Sequence, residues 1–497
     1  MNRLHHIISG AAAALLLLSC QTSKEGVDDL IGSSGISDVE AVDEGREPTD
    51  NPVGKTLSKW KEGYLDIHAI NSSRGECTFF IYPDGTTMLC DAGDIGEAIN
   101  SEHPNVDPKP HAAMRPYRVY ARYLKYFLPQ DKDALDYMYM THFHNDHFGT
   151  PGAYEMVQKG KYSYTNTGIM GLYDEVPFRK IYDRAYDPED PEYTYIAESG
   201  QEYSDPEDYI DFIKWASSEK NLEVDRIENG SLDQLKMLYG ASSYEDFSVQ
   251  NVCINGYYWD GVQQADAYPN NRDGIKKINE NGLSGGFIIR YGDFEYLTCG
   301  DAGANTKVEI PLAHSLGRRI EAMKSNHHFA WDTMAPESME ILQPKVIVSQ
   351  SFYDHQPDMG YNDQDERSNR AFQLAWAAYG DQGFTDNADG TKDYHAKNPA
   401  IEGCKCWYFT NVHRHLFGWY PHEVSKMKST GGHVVIRVAP KGADGNQTFW
   451  VYVLEDTDFS YRVKQADGPF YCFESVFDAE GDTDDMTVCD PEKWPWK

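Results

Sequence analysis

The first sustained pattern along the chain opens at Tyr64, where Leu65-Asp66-Ile67-His68-Ala69-Ile70 alternates apolar with polar positions, the period of a strand. Cys77 to Tyr82, the break Pro83-Asp84-Gly85 and Thr86 to Cys90 predict a hairpin turning at Asp-Gly. Its second strand runs directly into the polar break Asp91-Ala92-Gly93-Asp94. Ala112 to Leu128 has a helical period with Pro116 near its start, and Leu135 to Met140 alternates again as a strand. Phe178 to Tyr182 reads as a further strand, and Gln447 to Val453 as the last apolar one.

The segment before this pattern has a different character. Arg3 precedes an apolar run from Ala11 to Leu18, too short for a bilayer span of about 20 residues and suited to a signal peptide. Leu17-Leu18-Ser19-Cys20 resembles the lipobox of bacterial lipoproteins, which implies cleavage after residue 19 and a lipidated Cys20. Residues 20–60, rich in Gly, Ser, Asp and Glu and ending in Pro52-Val53-Gly54, are expected to be an acidic tether. The expected location is therefore the cell envelope, anchored in the lipid bilayer.

Composition narrows the function. The formal charge of −34, from 79 acidic and 45 basic side chains, disfavours strong nucleic-acid binding, which needs Lys and Arg on phosphates. With 34 Tyr, 21 Phe and 10 Trp the chain can build a large core, so general disorder is excluded. Beyond Cys20, eight cysteines permit disulfides in an exported protein, and Cys472 with Cys489 form the expected pair. Cys404-x-Cys406 lacks a second pair at zinc-finger spacing and is read as incidental.

The chemistry gathers where the strand Leu135 to Met140 ends, in Thr141-His142-Phe143-His144-Asn145-Asp146-His147-Phe148-Gly149. Three His and one Asp within six residues can project several ligands into one cleft, and imidazole with carboxylate suits zinc, manganese or iron. Neither Gly-x-Ser-x-Gly nor a phosphate-binding Gly-x-x-x-x-Gly-Lys loop occurs, which leaves serine hydrolases and nucleotide triphosphatases without a motif.

This segment resembles the HxHxDH motif of the metallo-β-lactamase superfamily. The resemblance extends to Gly75-Glu76-Cys77 through Asp91-Ala92-Gly93, to Asn281-Gly282-Leu283-Ser284 with the strands Gly286 to Tyr291 and Tyr296 to Asp301, and to Ser325-Asn326-His327-His328, Pro344 to Ser349 and His355. Order and spacing are most similar to the branch containing the hydrolase domain of ComEC and bacterial phosphorylcholine esterases. The resemblance implies a four-layer αβ/βα sandwich over residues 61–455, with an insertion within 151–280 and an acidic extension over 456–497. It also implies two divalent ions, zinc or manganese: His142 and His144 on the first, Asp146 and His147 on the second, Asp301 between them, and either His327 or His328 completing the second site. Of that adjacent pair, the other would touch phosphoryl oxygens. Asp91 is implied to orient a ligand and Asp146 to hold its metal or take a proton. No His occurs between His147 and His314, where many members have another ligand, and Asp183 is the expected substitute.

The subgroup implies hydrolysis of a phosphodiester, either a small molecule or part of an envelope polymer. A lactone or β-lactam hydrolase of the same fold is one alternative, and a lipid-anchored binding protein without catalysis is another. The Tyr-rich stretch from Tyr182 to Tyr209 could stack on a substrate or simply pack, and Arg318-Arg319 with Lys324 is the basic cluster nearest a motif.

Overall fold

In a computed structural model the described residues are 51–96, 108–187, 189, 207–269, 278–352 apart from 305, 331 and 332, and 406–474 apart from 415, 420–423 and 426, with the strands Gly383–Asp386 and Lys392–His395. The expected leader, Cys20 and the tether up to residue 50 lie outside them, as do His355, Cys404, Cys489 and most of the stretch between Tyr186 and Tyr209.

Two large mixed sheets face each other. The first has nine strands among the described residues, in spatial order Val463–Tyr471, Thr448–Leu454, His433–Val438, Leu65–Ala69, Thr78–Ile81, Thr87–Cys90, Leu135–Tyr139, Phe178–Asp183 and Glu223–Arg226. The second has eight: Gln264–Asp266, Tyr257–Trp259, Phe247–Ile254, Gly286–Tyr291, Phe294–Thr298, Ala322–Lys324, Val346–Ser349 and Cys406–Phe409. In each sheet one half is antiparallel, and the other, from Thr87–Cys90 or Phe294–Thr298 onward, is parallel. Parallel neighbours need crossovers, and helices supply them. Pro116–Phe127, Gly168–Glu175 and Glu207–Lys220 serve the first sheet, and Glu309–Leu316 and Pro336–Leu342 the second.

The alternation read in the sequence sorts side chains between layers. Leu65, Ile67, Phe80 and Met88 point to the inner core, where they meet Phe287, Ile289, Tyr296 and Val348 of the opposite sheet. Phe79, Ile81 and Leu89 point outward, under Tyr120, Leu124 and Phe127 of the first crossover helix. Ile288, Leu297 and Ile347 pack outward against Leu312, Ala313 and Met339. The result is the four-layer αβ/βα sandwich that the resemblance implied. Among the described residues no helix is long and apolar enough to cross a membrane.

One sequence expectation changes here. The first sheet does not stop at residue 455: Val463–Tyr471 pairs antiparallel with Thr448–Leu454 as an edge strand. Its composition, with Lys464, Asp467, Gly468 and Pro469, concealed it, because an edge strand tolerates charge and Pro that a central strand cannot. The segment 151–280 supplies mid-fold strands and helices, and of the two readings of its tyrosines the described Tyr164, Tyr173, Tyr182 and Tyr209 follow the packing one.

Polar groups on the outer face of the strand Leu65–Ala69 are matched across layers. Asp66 accepts two bonds from Arg437 at 2.8 and 2.7 Å, and His68 Nδ1 meets the Tyr123 hydroxyl at 2.8 Å. Nearby, the buried His433 accepts the Asn71 N–H at Nδ1, 3.0 Å away. Burial, outweighing the attraction of Asp456, pulls its pKa from 6.5 to about 4. Because the unfolded chain binds this proton first, the contribution of His433 is complete above pH 6.5 and falls as pH drops through about 4, a loss of about 3 kcal/mol. Urea unfolding at a series of pH values should show this slope in the wild type, and His433→Gln should flatten it. An unchanged slope in the variant refutes the assignment.

Candidate metal centre

The site is built where the parallel strands end, the edge at which open α/β sheets place their ligands. Asp91 follows the strand Thr87–Cys90, the segment His142 to His147 follows Leu135–Tyr139, Asp301 follows Phe294–Thr298, and His328 follows Ala322–Lys324. A single turn of helix, Asn145–Phe148, carries Asp146 and His147 back toward the strand ends. Close backbone contact fixes that turn. The Glu76 N–H donates to the Asp146 carbonyl at 2.8 Å, and a side chain on Gly93 would meet that oxygen at 1.7 Å, so only glycine fits there.

Two groups of ligand-type atoms converge. In one, His142 Nε2 lies 3.2 Å from His144 Nδ1 and 3.7 Å from Asp301 Oδ2. In the other, His147 Nε2 lies 3.1 Å from Asp301 Oδ2, 3.3 Å from His328 Nε2 and 3.9 Å from Asp146 Oδ2, and His328 Nε2 lies 3.0 Å from Asp146 Oδ2 and 3.3 Å from Asp301 Oδ2. Ligands at about 2.0–2.2 Å from a shared tetrahedral ion stand roughly 3.3 Å apart, so both groups have the spacing of a coordination shell.

The outer ring nitrogens are engaged. His147 Nδ1 meets Asp91 Oδ2 at 2.8 Å, and Asp91 also accepts the Thr141 N–H and hydroxyl, both at 2.8 Å. His142 Nδ1 meets Thr141 Oγ1 at 3.0 Å and Ser284 Oγ at 3.3 Å, while Ser284 Oγ accepts the Asp301 N–H at 3.1 Å. His328 Nδ1 donates to the Gln350 carbonyl at 3.1 Å and stands 2.8 Å from Glu76 Oε1. Protonation at Nδ1 in each ring leaves the Nε2 lone pair facing the centre, which makes all three imidazoles competent as ligands.

The electrostatics are those of a centre built for cations. Glu76, Asp91, Asp146 and Asp301 are buried together with a single lysine, Lys324, whose Nζ is 2.9 Å from Glu76 Oε1 and 3.9 Å from Asp301 Oδ1. Burial pushes the Asp301 carboxyl up, but His147, His328 and His327 outweigh it and hold the group well below the usual carboxylate range. Burial opposes charge on His147 and His328 too, yet the surrounding carboxylates raise both well above ordinary imidazole. His142, where burial and His147 dominate, is driven well below its normal value.

The structure thus brings His142, His144, Asp146, His147, Asp301 and His328 together, with Asp91 behind His147. It also separates the adjacent pair. His328 is buried among the second group, whereas His327 is partly exposed, with Nε2 3.3 Å from Asn281 Nδ2 and 3.9 Å from Asp301 Oδ2. Asp183 does not replace the absent histidine. Its oxygens accept the N–H groups of Ala185 and Tyr186 at 2.8 and 2.6 Å and the Tyr209 hydroxyl at 2.8 Å, so it closes a loop. Among the described residues the first group holds three ligand-type side chains. The basic cluster is not a patch either: Arg318 pairs with Glu295, Arg319 lies 3.9 Å over the Phe473 ring, and Lys324 is buried. Sequence reasoning missed Glu76, Gln350 and the role of Lys324. Only the Gly-Glu-Cys position of Glu76 ahead of the hairpin offered a signal.

No family model matches the chain, and no curated protein matches it. Among solved structures it is similar to a predicted metal-dependent hydrolase from Parabacteroides distasonis ATCC 8503, at 12% identity over 62% of this chain and 88% of that one, with a TM-score of 0.27. It is also similar to CmlA, a diiron β-hydroxylase from Streptomyces venezuelae, at 12% identity over 63% of this chain, with a TM-score of 0.30. The match spans half of the CmlA chain.

Proposed function

We propose that this chain is a metal-dependent hydrolase of the metallo-β-lactamase type, acting on a phosphodiester and held in the cell envelope by a lipid on Cys20. The observation that carries the catalytic reading is the approach of His147 Nε2 to His328 Nε2 at 3.3 Å with two carboxylate oxygens beside them. Two ring nitrogens and two carboxylate oxygens facing one point form a donor set that fits a divalent cation, which would take the place of protons otherwise held there. His142, His144 and Asp301 would hold one divalent ion, and Asp146, His147, His328 and Asp301 the other. Zinc, manganese and iron all suit this nitrogen and oxygen set. When bound, such a pair supplies hydroxide near neutral pH and stabilises charge growing on a phosphoryl oxygen.

The chain's own residues do the rest. Asp91, Thr141, Ser284 and Gln350 fix the rings, Asp146 is placed to accept a proton at the centre, and the partly exposed His327 with Asn281 Nδ2 offers donors to a substrate oxygen. The phosphodiester class is supported by the subgroup resemblance, and a small or head-group substrate by the charge of −34, which disfavours long polyanions. The envelope location is supported by the Leu17-Leu18-Ser19-Cys20 segment.

Hydrolysis of bis(p-nitrophenyl) phosphate by the full chain, with zinc or manganese added, is the test. The Asp146→Ala/His147→Ala double variant should lose turnover by at least about 10²–10³-fold. Equal turnover in both would refute the assignment. Two bound ions without phosphodiester turnover would favour a lactone or β-lactam substrate, and absence of bound metal would favour a binding protein.

A further inference from the structure

The segment that carries His328 is strained, and its geometry is held from outside the centre. His327, His328 and Phe329 follow one another at φ of 43°, 53° and 64°, the left-handed region that L side chains rarely adopt, and Met334 returns to it at 56°. Such a run persists only where its surroundings over-determine it. One end is pinned by the Phe329 ring, buried 4.9 Å from that of Trp407, and by the His327 N–H donating to the Gly300 carbonyl at 3.2 Å. Both flanks are gathered by a single buried carboxylate, Glu309, at the start of the Glu309–Leu316 helix. Its Oε2 accepts Asn326 Nδ2 at 3.0 Å, Thr333 Oγ1 at 2.9 Å and the Met334 N–H at 2.8 Å, and its Oε1 accepts the Ala335 N–H at 2.6 Å. Asn326 precedes the strained run, and the other three donors follow it.

We propose that Glu309 is a positioning residue for the second ion of the centre: by clamping residues 326 and 333–335 it holds the left-handed run that delivers His328 Nε2 to Asp146 and Asp301. The inference rests on the metal reading of the site. Glu309 is in neither ligand group, so it acts through the turn alone. Neutralising it leaves four donors sharing one carbonyl-type oxygen and an amide that repels the rest, which frees the turn to relax and withdraw His328. His142 and His144 of the first group follow the strand Leu135–Tyr139, far in the chain from that turn.

Zinc titration of the chelator-treated full chain, in competition with a chromophoric chelator, tests this. The wild type should take up two ions, with Asp146→Ala identifying which affinity belongs to the second group. In Glu309→Gln, second-ion affinity should fall about 10–100-fold, the range for partners that orient metal ligands, and first-ion affinity by less than about threefold. A merely structural role would weaken both alike. Glu309→Gln/His327→Gly should regain at least about tenfold in second-ion affinity, because glycine holds a φ of 43° without assistance. Unchanged affinities in folded Glu309→Gln, equal loss at both sites, or failure of the glycine to restore binding overturns the proposal. Should Glu309→Gln not fold by circular dichroism, Thr333→Ala decides: a second-ion loss of about threefold upholds the clamp, and no loss overturns it. A wild type that takes up no zinc overturns the metal reading and this inference together, whereas two ions bound with equal affinities in wild type and variant overturn this inference alone.

Discussion

On the proposed function, Asp301→Ala should abolish binding of both metal ions and lower phosphodiester turnover by at least about 10³-fold, equivalent to about 4 kcal/mol of transition-state stabilisation. The expectation comes from one oxygen. Asp301 Oδ2 lies 3.1 Å from His147, 3.3 Å from His328, 3.7 Å from His142 and 3.9 Å from His327, so it is shared by the two ligand groups. Asp146, by contrast, touches only the second group, through His328 at 3.0 Å and His147 at 3.9 Å. Asp146→Ala should therefore keep one ion where Asp301→Ala keeps none. Metal content after dialysis, measured beside turnover, separates the two cases. If Asp301→Ala retained two ions and a tenth of wild-type turnover, the shared role would be wrong.

The parts of this centre that were legible in the sequence share a physical property. His142, His144, Asp146 and His147 sit on one short loop after one strand, so spacing alone puts their side chains near each other. Asp91 and Asp301 were legible through the resemblance, each following a segment that matches a strand of that family. Residues whose partners are distant in the chain gave no such sign. Glu76 reaches His328, Gln350 reaches both His328 and, through its side chain, the Cys77 N–H at 3.1 Å, and Lys324 reaches Glu76. Those contacts exist only because two sheets stack, and no local period encodes them. Asp183 shows the opposite error: a carboxylate at a strand end reads the same whether it faces a ligand site or caps the next loop. The edge strand Val463–Tyr471 escaped because pairing, and not apolar content, makes it a strand.

Lys324 shows how the fold pays for a cavity full of carboxylates. Its side chain is 4% exposed, and its Nζ donates to the Gly300 and Ser325 carbonyls at 2.9 and 3.0 Å while standing 2.9 Å from Glu76 Oε1. Burial works against its charge, yet Glu76 and Asp301 outweigh burial and raise its pKa above the ordinary lysine value. Lys324→Met would leave Glu76 ionised, buried and without its lysine, a change that costs about 3–5 kcal/mol when one partner of a buried pair is removed. In metal-free protein the loss should fall at the lower end, about 3 kcal/mol, because His328 Nδ1 remains 2.8 Å from the same oxygen and is held protonated. Removing both charges is a different matter. Lys324→Met/Glu76→Gln leaves no uncompensated ion, so it should recover most of that stability, with a coupling of about 2 kcal/mol between the sites. Urea unfolding at pH 7 in the presence of chelator measures all four species. Additive effects, with coupling below about 0.5 kcal/mol, would mean that Lys324 answers to the field of Asp301 and the two carbonyls and not to Glu76. Coupling as expected would make the pair a unit, the cation offsetting the charge of a carboxylate buried beside His328.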